Sequence, residues 1–389
     1  MIYADHAATS YPKPPVVLEA MAKYLETSGN PGRSGHRLAK AGEGMLWEGR
    51  RAVADLIGAT DPDRIIFNLN ATMALNVAIQ GLVRPGERVL TSSFEHNSVV
   101  RPLHALQQEG VLWTVLRPGP DEPMDLEHLE AELRRGGVRL VVVGHASNVT
   151  GAVQPLDTIV RLTHEYGALL LVDAAQTLGH RPVRVEDADV LVFAGHKGLL
   201  GPQGTGGMHV SAAAAIRPLL YGGTGSRSES PEQPHWLPDS LEAGTPNGVG
   251  IAGLAAAVRY VARQDLSAIE ARELRLRQRF VDGVRDLPDV IIHDWPSTAP
   301  PAAVVSLTVR GLLSTDAATL LEERHGVLTR GGLHCAFLSH RTLGSPADGT
   351  VRFSFASFTT DAEIDGSVNA IRDVARARRL APAGSRAKP

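Results

Sequence analysis

The chain of 389 residues has very little cysteine and no excess of one charge sign. Its single cysteine, Cys335, excludes an internal disulfide framework and is typical of the reducing cytoplasm. The 39 basic and 42 acidic residues leave a net charge of −3, which gives no reason to expect nucleic acid as a partner. No apolar run approaches the roughly 18 residues of a membrane span, and "MIYADHAATS" lacks the apolar segment of a signal peptide. We therefore expect a cytoplasmic protein without a membrane partner.

What the sequence does contain is an alternation of short apolar runs and longer amphipathic ones over residues 60–210. Runs of Val, Ile and Leu without polar alternation indicate strands that are buried on both faces. The candidate strands are "RIIFNLN", "ERVLTSS", "VRLVVVGHAS", "ALLLVDAAQ", "DVLVFAGHK" and "TGGMHV". Helical segments such as "TMALNVAIQGLV" and "LDTIVRLTHEYG" lie between them. This order predicts an α/β fold with a mostly parallel sheet.

The amino-acid composition changes after residue 220. The stretch "YGGTGSRSESPEQPHWLPDSLEAGTPNG" is rich in Gly, Ser, Pro and Glu and predicts a long loop. Two helical patterns follow, "GIAGLAAAVRYVARQ" and "IEARELRLRQRFVDGVRDL", and then the strand candidates "AAVVSLTVRG" and "TVRFSFASF". The length of the chain also favours two domains. We therefore predict a smaller α+β domain from about residue 260.

Polar side chains follow several of the predicted strands at the point where each strand ends. In open α/β sheets, ligands bind outside the carboxyl ends of the strands. Taken singly, each of these residues has an ordinary interpretation as a helix cap or a satisfied structural side chain. Together they converge on one crevice: Asn70, Thr72, Glu95, His96, Asn97, Asn148, Asp173, Gln176, His196 and Lys197.

Pyridoxal phosphate catalysis requires this set of groups. The cofactor aldehyde needs a lysine imine, for which Lys197 is the candidate, and the same amine would then move the proton on the substrate α-carbon. Asp173 would pair with the ring nitrogen, and His96 would lie over the ring face. The phosphate needs hydroxyl and N–H groups at a helix start. The predicted phosphate site comprises Asn70, Ala71, Thr72 and His196.

A set of motifs in this order resembles a known family. The motifs are "YADHAATSYPKP", "NPGRSGH", "SSFEHNS", "ASNVTGAVQPL", "LVDAAQTLGH", "FAGHKGLLGPQGTGG", "LEAGTPN", "TRGGLHCA" and "VRFSFASFTTDAEID". The chain resembles the cysteine desulfurases and selenocysteine lyases of the class V aminotransferase branch. The resemblance implies the aspartate aminotransferase-like fold, with a mostly parallel seven-stranded sheet in the large domain and a small C-terminal α+β domain. We predict the large domain at 15–258, the small domain at 1–14 and 259–377, and a disordered tail at 378–389.

The same resemblance implies further roles for single residues. Gln176 should bond the ring hydroxyl, and Asn148 should lie near that hydroxyl and the substrate carboxylate. Arg352 should clamp this carboxylate with its guanidinium fork, and Arg330 should contribute to the same region. Thr245 should reach the phosphate of the other subunit, which implies a homodimer with shared active sites.

Cys335 is the residue that discriminates among related reactions. In the desulfurases, the thiol at this place attacks the sulfur of the substrate and becomes a persulfide, while L-cysteine becomes L-alanine. A single cysteine is otherwise most often a small buried hydrophobe, but here it follows two glycines and precedes a turn-like segment. The short interval between Cys335 and Arg352 is similar to the desulfurases that need a sulfur-acceptor protein.

Some positions depart from the family pattern. Ala194 stands where many relatives have a phosphate-binding hydroxyl, Asn70, Met73 and His6 are also unusual, and "AFLSH" follows the cysteine. These departures leave open selenocysteine lyase, another C–S lyase, an aminotransferase or an epimerase. A catalytically inactive binding protein of the same fold is disfavoured because the ring-contacting residues are present. A nicotinamide-binding interpretation of "GPQGTGG" lacks the supporting motif context, and a zinc site at Cys335, with His334 and His340, lacks metal-ligand spacing, so we predict no metal.

Overall fold

A computed structural model of the chain describes residues 1–32 and 34–380. The strands are β1 (Ile2–Tyr3), β2 (Ile65–Asn68), β3 (Arg88–Ser92), β4 (Leu112–Leu116), β5 (Val138–Gly144), β6 (Leu169–Asp173), β7 (Val190–Ala194), β8 (Gly206–Val210), β9 (Val290–His293), β10 (Val304–Val309), β11 (Val327–Leu328), β12 (Arg330–Gly332) and β13 (Thr350–Ser354). The helices are α1 (Pro15–Thr27), α2 (Arg37–Ile57), α3 (Ala71–Leu82), α4 (Asn97–Gln107), α5 (Leu126–Arg134), α6 (Leu156–Glu165), α7 (Gly248–Ala262), α8 (Leu266–Val284), α9 (Ser314–His325), α10 (Phe337–Leu343) and α11 (Asp361–Leu380).

The largest of the three sheets in the described residues has seven strands in the order β2-β8-β7-β6-β5-β3-β4. Strand β8 is antiparallel to both of its neighbours, and the other strand pairs are parallel. The central strands are buried on both faces: Val141 and Val143 of β5 enter one apolar cluster, whereas Leu140 and Val142 enter the other. The predicted fold class, including the seven-stranded and mostly parallel sheet, is therefore confirmed.

A second sheet, with the order β12-β13-β10-β9, forms the core of the C-terminal part of the chain. Its strands are antiparallel, and helices α8, α9 and α11 pack against it around Phe280 and Phe353, whose rings lie 4.5 Å apart. The predicted small α+β domain is therefore present. The residues 211–247 between β8 and α7 contain neither a helix nor a strand, as the loop prediction requires.

The N-terminal segment pairs with strands from the C-terminal part of the chain, which supports its proposed place in the small domain. Strand β1 is parallel to β11, and Asp5 forms a bridge with Ser354 of β13. The predicted boundary after residue 258 falls inside α7, whose residues pack against α1 and α2. We therefore propose that the large domain ends after α7. A disordered tail is predicted at 378–389, and residues 381–389 of it lie outside the part of the chain that the structure describes. Helix α11 ends at Leu380.

Candidate active site

The predicted strand ends meet in one cavity at the carboxyl edge of the seven-stranded sheet. The cavity has a volume of about 230 Å³ and lies between that sheet and the C-terminal domain. It brings together most of the site residues predicted from the sequence: Asn70, Ala71, Thr72, His96, Asn148, Asp173, Gln176, His196, Lys197, Arg330 and Arg352. Cys335 and Thr245 lie outside it, in two adjoining grooves.

Lys197 follows β7 on a turn that allows very close backbone packing. A Cβ atom on the adjacent Gly198 would lie 2.4 Å from the carbonyl oxygen of Leu178, so a larger residue would displace this turn. Burial lowers the pKa of the Lys197 amine from 10.5 to about 8. The guanidinium groups of Arg352 and Arg330 act in the same direction, and the Asp173 carboxylate opposes them. The amine is thus neutral far more often than that of an exposed lysine.

Asp173 is the last residue of β6 and lines the cavity beside Lys197. Its Oδ1 accepts a hydrogen bond of 2.9 Å from the backbone N–H of Ala175, which fixes the orientation of the carboxylate. Burial raises the pKa of Asp173 above its ordinary value, whereas the N–H of Ala175 and the Lys197 amine act against that increase. A cationic partner in the cavity would stabilise the ionised form of this carboxylate.

A chain of hydrogen bonds joins three side chains on one wall of the cavity. The hydroxyl groups of Thr72 and Ser98 lie 2.7 Å apart, and Ser98 Oγ lies 2.8 Å from His96 Nδ1. His96 Nδ1 also accepts the backbone N–H of Ser98 at 3.1 Å, so the ring proton is on Nε2. Burial and the charge of Lys197 lower the pKa of His96 to about 3. The imidazole is therefore neutral and can donate only from Nε2.

The start of α3 closes the end of the cavity where an anion would bind. Asn70 caps this helix, because its Oδ1 accepts the N–H of Met73 at 2.9 Å. The remaining N–H groups of the first turn, which include those of Ala71 and Thr72, have no acceptor within the helix. Gly206 of β8 allows this approach, since a Cβ there would lie 2.7 Å from the backbone of Asn70. Ala194 lines the same cavity without a hydroxyl, and Ser98 provides an additional hydroxyl beside that of Thr72.

Arg352 comes from β13 of the small domain and is 1% exposed. Its guanidinium donates to Asp5 Oδ1 at 2.8 Å and to the backbone carbonyl of Asn148 at 3.1 Å. The Asn148 amide in turn donates to the carbonyl of His334 at 2.8 Å. Gln176 lies nearby and donates from Nε2 to the carbonyl of Ala7 at 3.2 Å. A buried arginine that faces a cavity is suited to binding a carboxylate.

Cys335 is exposed and lies in a groove of about 460 Å³ next to the cavity. Thr72, His96 and Ser98 line both spaces, so the groove of the thiol adjoins the cavity of Lys197. Arg330 NH2 lies 3.5 Å from Cys335 Sγ and donates to it. In the described residues no cluster of three or more His, Cys, Asp or Glu side chains is arranged to hold a metal ion.

Thr245 lies in a third groove, and Met73 from the first turn of α3 also lines this groove. Its predicted contact with the phosphate of another subunit stays a prediction. Two residues with direct contacts to the site were missed from the sequence. Asp5 pairs with Arg352, and Ser98 bridges Thr72 and His96. Both lie inside motifs that were already singled out, "YADHAATSYPKP" and "SSFEHNS".

Among the described helices, none is long and apolar enough to cross a bilayer.

Comparison with known proteins identifies the family. Residues 2–366 match the aminotransferase class-V family. The chain is 34% identical to a probable cysteine desulfurase of Pyrococcus abyssi, with 97% of this chain and 95% of the relative aligned. It is 33% identical to the cysteine desulfurase IscS of Vibrio campbellii over 98% of this chain and 94% of the relative.

Solved structures agree with these relatives. The apo cysteine desulfurase of Thermococcus onnurineus NA1 superposes with a TM-score of 0.89 at 33% identity, covering 97% of this chain and 95% of the other. The cysteine desulfurase CsdA of Escherichia coli gives a TM-score of 0.86 at 30% identity, covering 96% of this chain and 94% of the other. The chain therefore belongs to the aminotransferase class-V family, in its cysteine desulfurase branch.

Proposed function

We propose that the chain is a pyridoxal phosphate-dependent cysteine desulfurase that converts L-cysteine to L-alanine and receives the sulfur on Cys335. The observation that carries this proposal is that the Lys197 cavity adjoins the groove of the exposed Cys335 thiol, and that Thr72, His96 and Ser98 line both spaces. A desulfurase needs both groups within reach of one substrate. An aminotransferase has no use for the thiol.

The residues of the cavity fit pyridoxal phosphate. Lys197 would hold the aldehyde carbon, Asp173 the protonated ring nitrogen, and Gln176 the ring hydroxyl. His196 Nδ1 is buried without a hydrogen-bond partner in the described structure, as expected of a group that awaits a phosphate oxygen. Thr72 and the N–H groups at the start of α3 would complete the phosphate site. When bound, this cofactor stabilises negative charge that develops at the substrate α-carbon.

Arg352 would bind the carboxylate of the substrate, and Lys197 would accept the α-proton of the substrate. Arg352 is held by Asp5 and by the carbonyl of Asn148, so it is oriented before the substrate arrives. The Lys197 amine, with its pKa lowered to about 8, can accept the α-proton at moderate pH and return it to the carbon skeleton. The neutral His96 lines the same cavity and would offer an Nε2–H donor to the substrate.

Cys335 completes the reaction. Its sulfur forms an S–S bond with the sulfur of the substrate, while the bond between that sulfur and the substrate Cβ breaks. The carbon skeleton takes up the proton that replaces sulfur and leaves as L-alanine, and the enzyme keeps a persulfide. The net change consumes one thiol and one L-cysteine and requires no external oxidant.

The terminal sulfur of the persulfide would pass to an acceptor in the groove in which Cys335 lies, and the Cys335 thiol would be regenerated. That groove is open to solvent and is lined by Asn76, Gln80, Arg101 and Glu109, so a sulfur-acceptor protein can approach the thiol without entering the cofactor cavity. We also propose a cytoplasmic homodimer, in which Thr245 of each subunit contacts the cofactor phosphate of the other.

Mass spectrometry after exposure to L-cysteine tests the function directly. The cofactor-loaded protein should gain one sulfur on Cys335 and release free alanine, and reduction with borohydride should label Lys197 with the cofactor. Replacing Cys335 with Ala should abolish the persulfide and keep the visible absorbance of the cofactor. Cysteine turnover that survives this substitution would show that the thiol is not the acceptor. Turnover of selenocysteine alone would favour a lyase, and 2-oxo-acid products would favour an aminotransferase.

A further inference from the structure

A second cavity, larger than the cofactor cavity, lies next to it. Two chain segments, at residues 6–7 and 197–198, contribute to both cavities. Its volume is about 530 Å³, and its wall includes Lys13, Leu200, Tyr260, Val261, Ile269 and Phe358. His6 and Gly198 line this cavity, whereas their neighbours Ala7 and Lys197 line the cofactor cavity. The proposed desulfuration uses none of this space.

Lys13 is the unusual group in this second cavity. Its ammonium donates to the hydroxyl of Ser10 at 2.7 Å and to the carbonyl of His196 at 2.8 Å, both of which are neutral acceptors. In the described residues no carboxylate lies within ion-pair distance of it, although the side chain is half-buried. Burial lowers the pKa of Lys13 to about 8. Buried charges are normally paired, so this cation lacks an expected partner.

Each of the other charged groups on the wall has a partner or a helix terminus beside it. Glu273 accepts from His180 Nδ1 at 3.0 Å and from the backbone N–H of Ser357 at 3.0 Å. Arg272 forms an ion pair of 3.0 Å with Asp361. The Oδ1 of Asp265 caps α8 by accepting the N–H of Ser267 at 2.9 Å. Among the described residues Asp265 has no ion-pair partner, but its carboxylate lies at the N-terminus of α8, where the helix dipole stabilises a negative charge. The unpaired cation that lines the space is Lys13.

The remaining wall is largely apolar. Leu200, Val261 and Ile269 form its buried part, while Tyr260 and Phe358 are 43% and 44% exposed. Two half-exposed aromatic rings beside an unpaired ammonium suit a molecule that has an anionic end and an apolar body. Inorganic phosphate would satisfy only the ammonium and would leave most of the cavity unfilled.

We propose that the second cavity binds a small organic carboxylate, with the carboxylate on the Lys13 ammonium and its apolar body against Tyr260, Phe358 and Ile269. The site is distinct from the substrate site, which takes its carboxylate on Arg352. The proposal does not depend on the desulfurase reaction.

Calorimetric titration of the cofactor-loaded protein tests the site with three probes. The probes are 3-phenylpropionate, the uncharged 3-phenylpropan-1-ol and inorganic phosphate. We expect saturable binding of 3-phenylpropionate, and affinities about tenfold weaker or worse for the alcohol, which lacks the charge, and for phosphate, which lacks the body. Absent or unsaturable binding of 3-phenylpropionate would overturn the proposal, and so would equal binding of the acid and the alcohol.

Matched variants locate the probe. Lys13→Met keeps the aliphatic stem and should weaken 3-phenylpropionate binding about tenfold, since a charge-assisted hydrogen bond is lost. Lys23→Met, at an exposed lysine of α1, should leave it unchanged. Tyr260→Ala changes a half-exposed ring and gives a second measure should Lys13→Met fold poorly. Unchanged affinity in the variants at 13 and 260 would overturn the site. Binding that is lost only in Arg352→Lys would place the probe in the substrate site instead and would equally overturn it.

Discussion

Lys197 and Cys335 lie in two adjoining spaces that Thr72, His96 and Ser98 both line, but the structure holds them in different ways. The turn at Lys197 is fixed by close backbone packing, and the carbonyl of the preceding residue, His196, accepts four hydrogen bonds from Thr9, Ser10 and Lys13. The amine is buried, and that burial lowers its pKa. The thiol of Cys335 is exposed on a short turn between β12 and α10. A group that moves protons is tuned by burial, whereas a group that passes sulfur to a partner must remain accessible.

The turn at the thiol depends on its contacts with the large domain. His334 and Cys335 have φ values of +50° and +56°, in the left-handed region that costs non-glycine residues about 1–3 kcal/mol each. Two hydrogen bonds offset this cost: Asn148 Nδ2 donates to the carbonyl of His334, and the N–H of Asn97 donates to the carbonyl of Cys335 at 2.7 Å. The large domain thus fixes the position of the thiol, although the small domain carries it.

The largest effect should come from removing the buried amine. Lys197→Ala eliminates both the covalent anchor of the cofactor and the group that moves the α-proton, so alanine formation should fall by about 10³-fold or more. Borohydride reduction followed by peptide mass spectrometry should find no cofactor on the chain. The control is Lys23→Ala, at an exposed lysine of α1, which should behave as the parent protein does. Labelling of another lysine with undiminished turnover would show that Lys197 is not the anchor.

Substitution of the substrate arginine should have the next largest effect. Arg352→Lys keeps the charge but loses the fork that contacts Asp5 and the carbonyl of Asn148. We expect the KM for L-cysteine to rise about tenfold to a hundredfold, as the loss of a charge-assisted hydrogen bond implies, with a smaller change in kcat. Steady-state kinetics of alanine release measures both constants. Arg341→Lys, at an exposed position of α10, is the control. An unchanged KM would remove Arg352 from the substrate site.

The sequence pattern predicts the position of the cofactor-binding residues better than the position of the thiol. Asp173 and Lys197 end or follow buried apolar strands, and that pattern is visible in a one-dimensional sequence because parallel strand ends meet at one edge. The apolar pattern does not predict strand β4 because it is an edge strand with a single neighbour: its Leu112 is exposed, and Trp113 and Thr114 are only half-buried. An edge strand does not present the continuous apolar run by which the central strands were recognised.

The partnerships across domains could not be read from local pattern. Asp5 and Arg352 are separated by almost the entire chain, and their ion pair exists because β1 joins the small domain. The left-handed turn at Cys335 is equally invisible, since its hydrogen-bond donors come from α4 and from the segment after β5. Long-range pairing of this kind depends on the completed fold, not on residue order.

The lowered pKa of Lys197 predicts how the cofactor-free chain takes up pyridoxal phosphate. Only the neutral amine attacks the aldehyde, so the loading rate should rise up to about tenfold per pH unit below pH 8 and level off above it. Stopped-flow absorbance across that pH range measures the rate. Arg330→Gln removes a charge that lowers this pKa and should move the plateau to higher pH. A rate that still rises at pH values near 10.5 would show that the amine has its ordinary pKa.

The same shift has a consequence for stability. Between about pH 8 and pH 10.5 the unfolded cofactor-free chain carries the proton that the folded chain has lost from Lys197. Its free energy of unfolding should therefore increase with pH through this window, and the destabilising effect of burying the amine is fully present below pH 8. Denaturant titrations at pH values on both sides of 8 would detect it, and the Lys197→Ala chain should lack this contribution.

The smallest effect should come from Asn97→Pro. This substitution should change the reaction of the Cys335 thiol and leave the cofactor site at Lys197 unchanged. Asn97 is the first residue of α4, where proline is well tolerated, and His96 already has the extended ψ of 153° that a following proline requires. The substitution deletes the N–H that donates to Cys335, and the lost Asn97 Oδ1 has no hydrogen-bond partner in the described structure. One neutral hydrogen bond contributes about 1 kcal/mol, so the rate of persulfide formation should fall about fivefold, while the absorbance of the cofactor stays unchanged. Asn97→Ala keeps the N–H and is the matched control, and rapid quenching with mass spectrometry of the Cys335 peptide gives the rate. Because the two variants differ at this position chiefly in the backbone donor, equal rates would mean that the bond from α4 does not position the thiol.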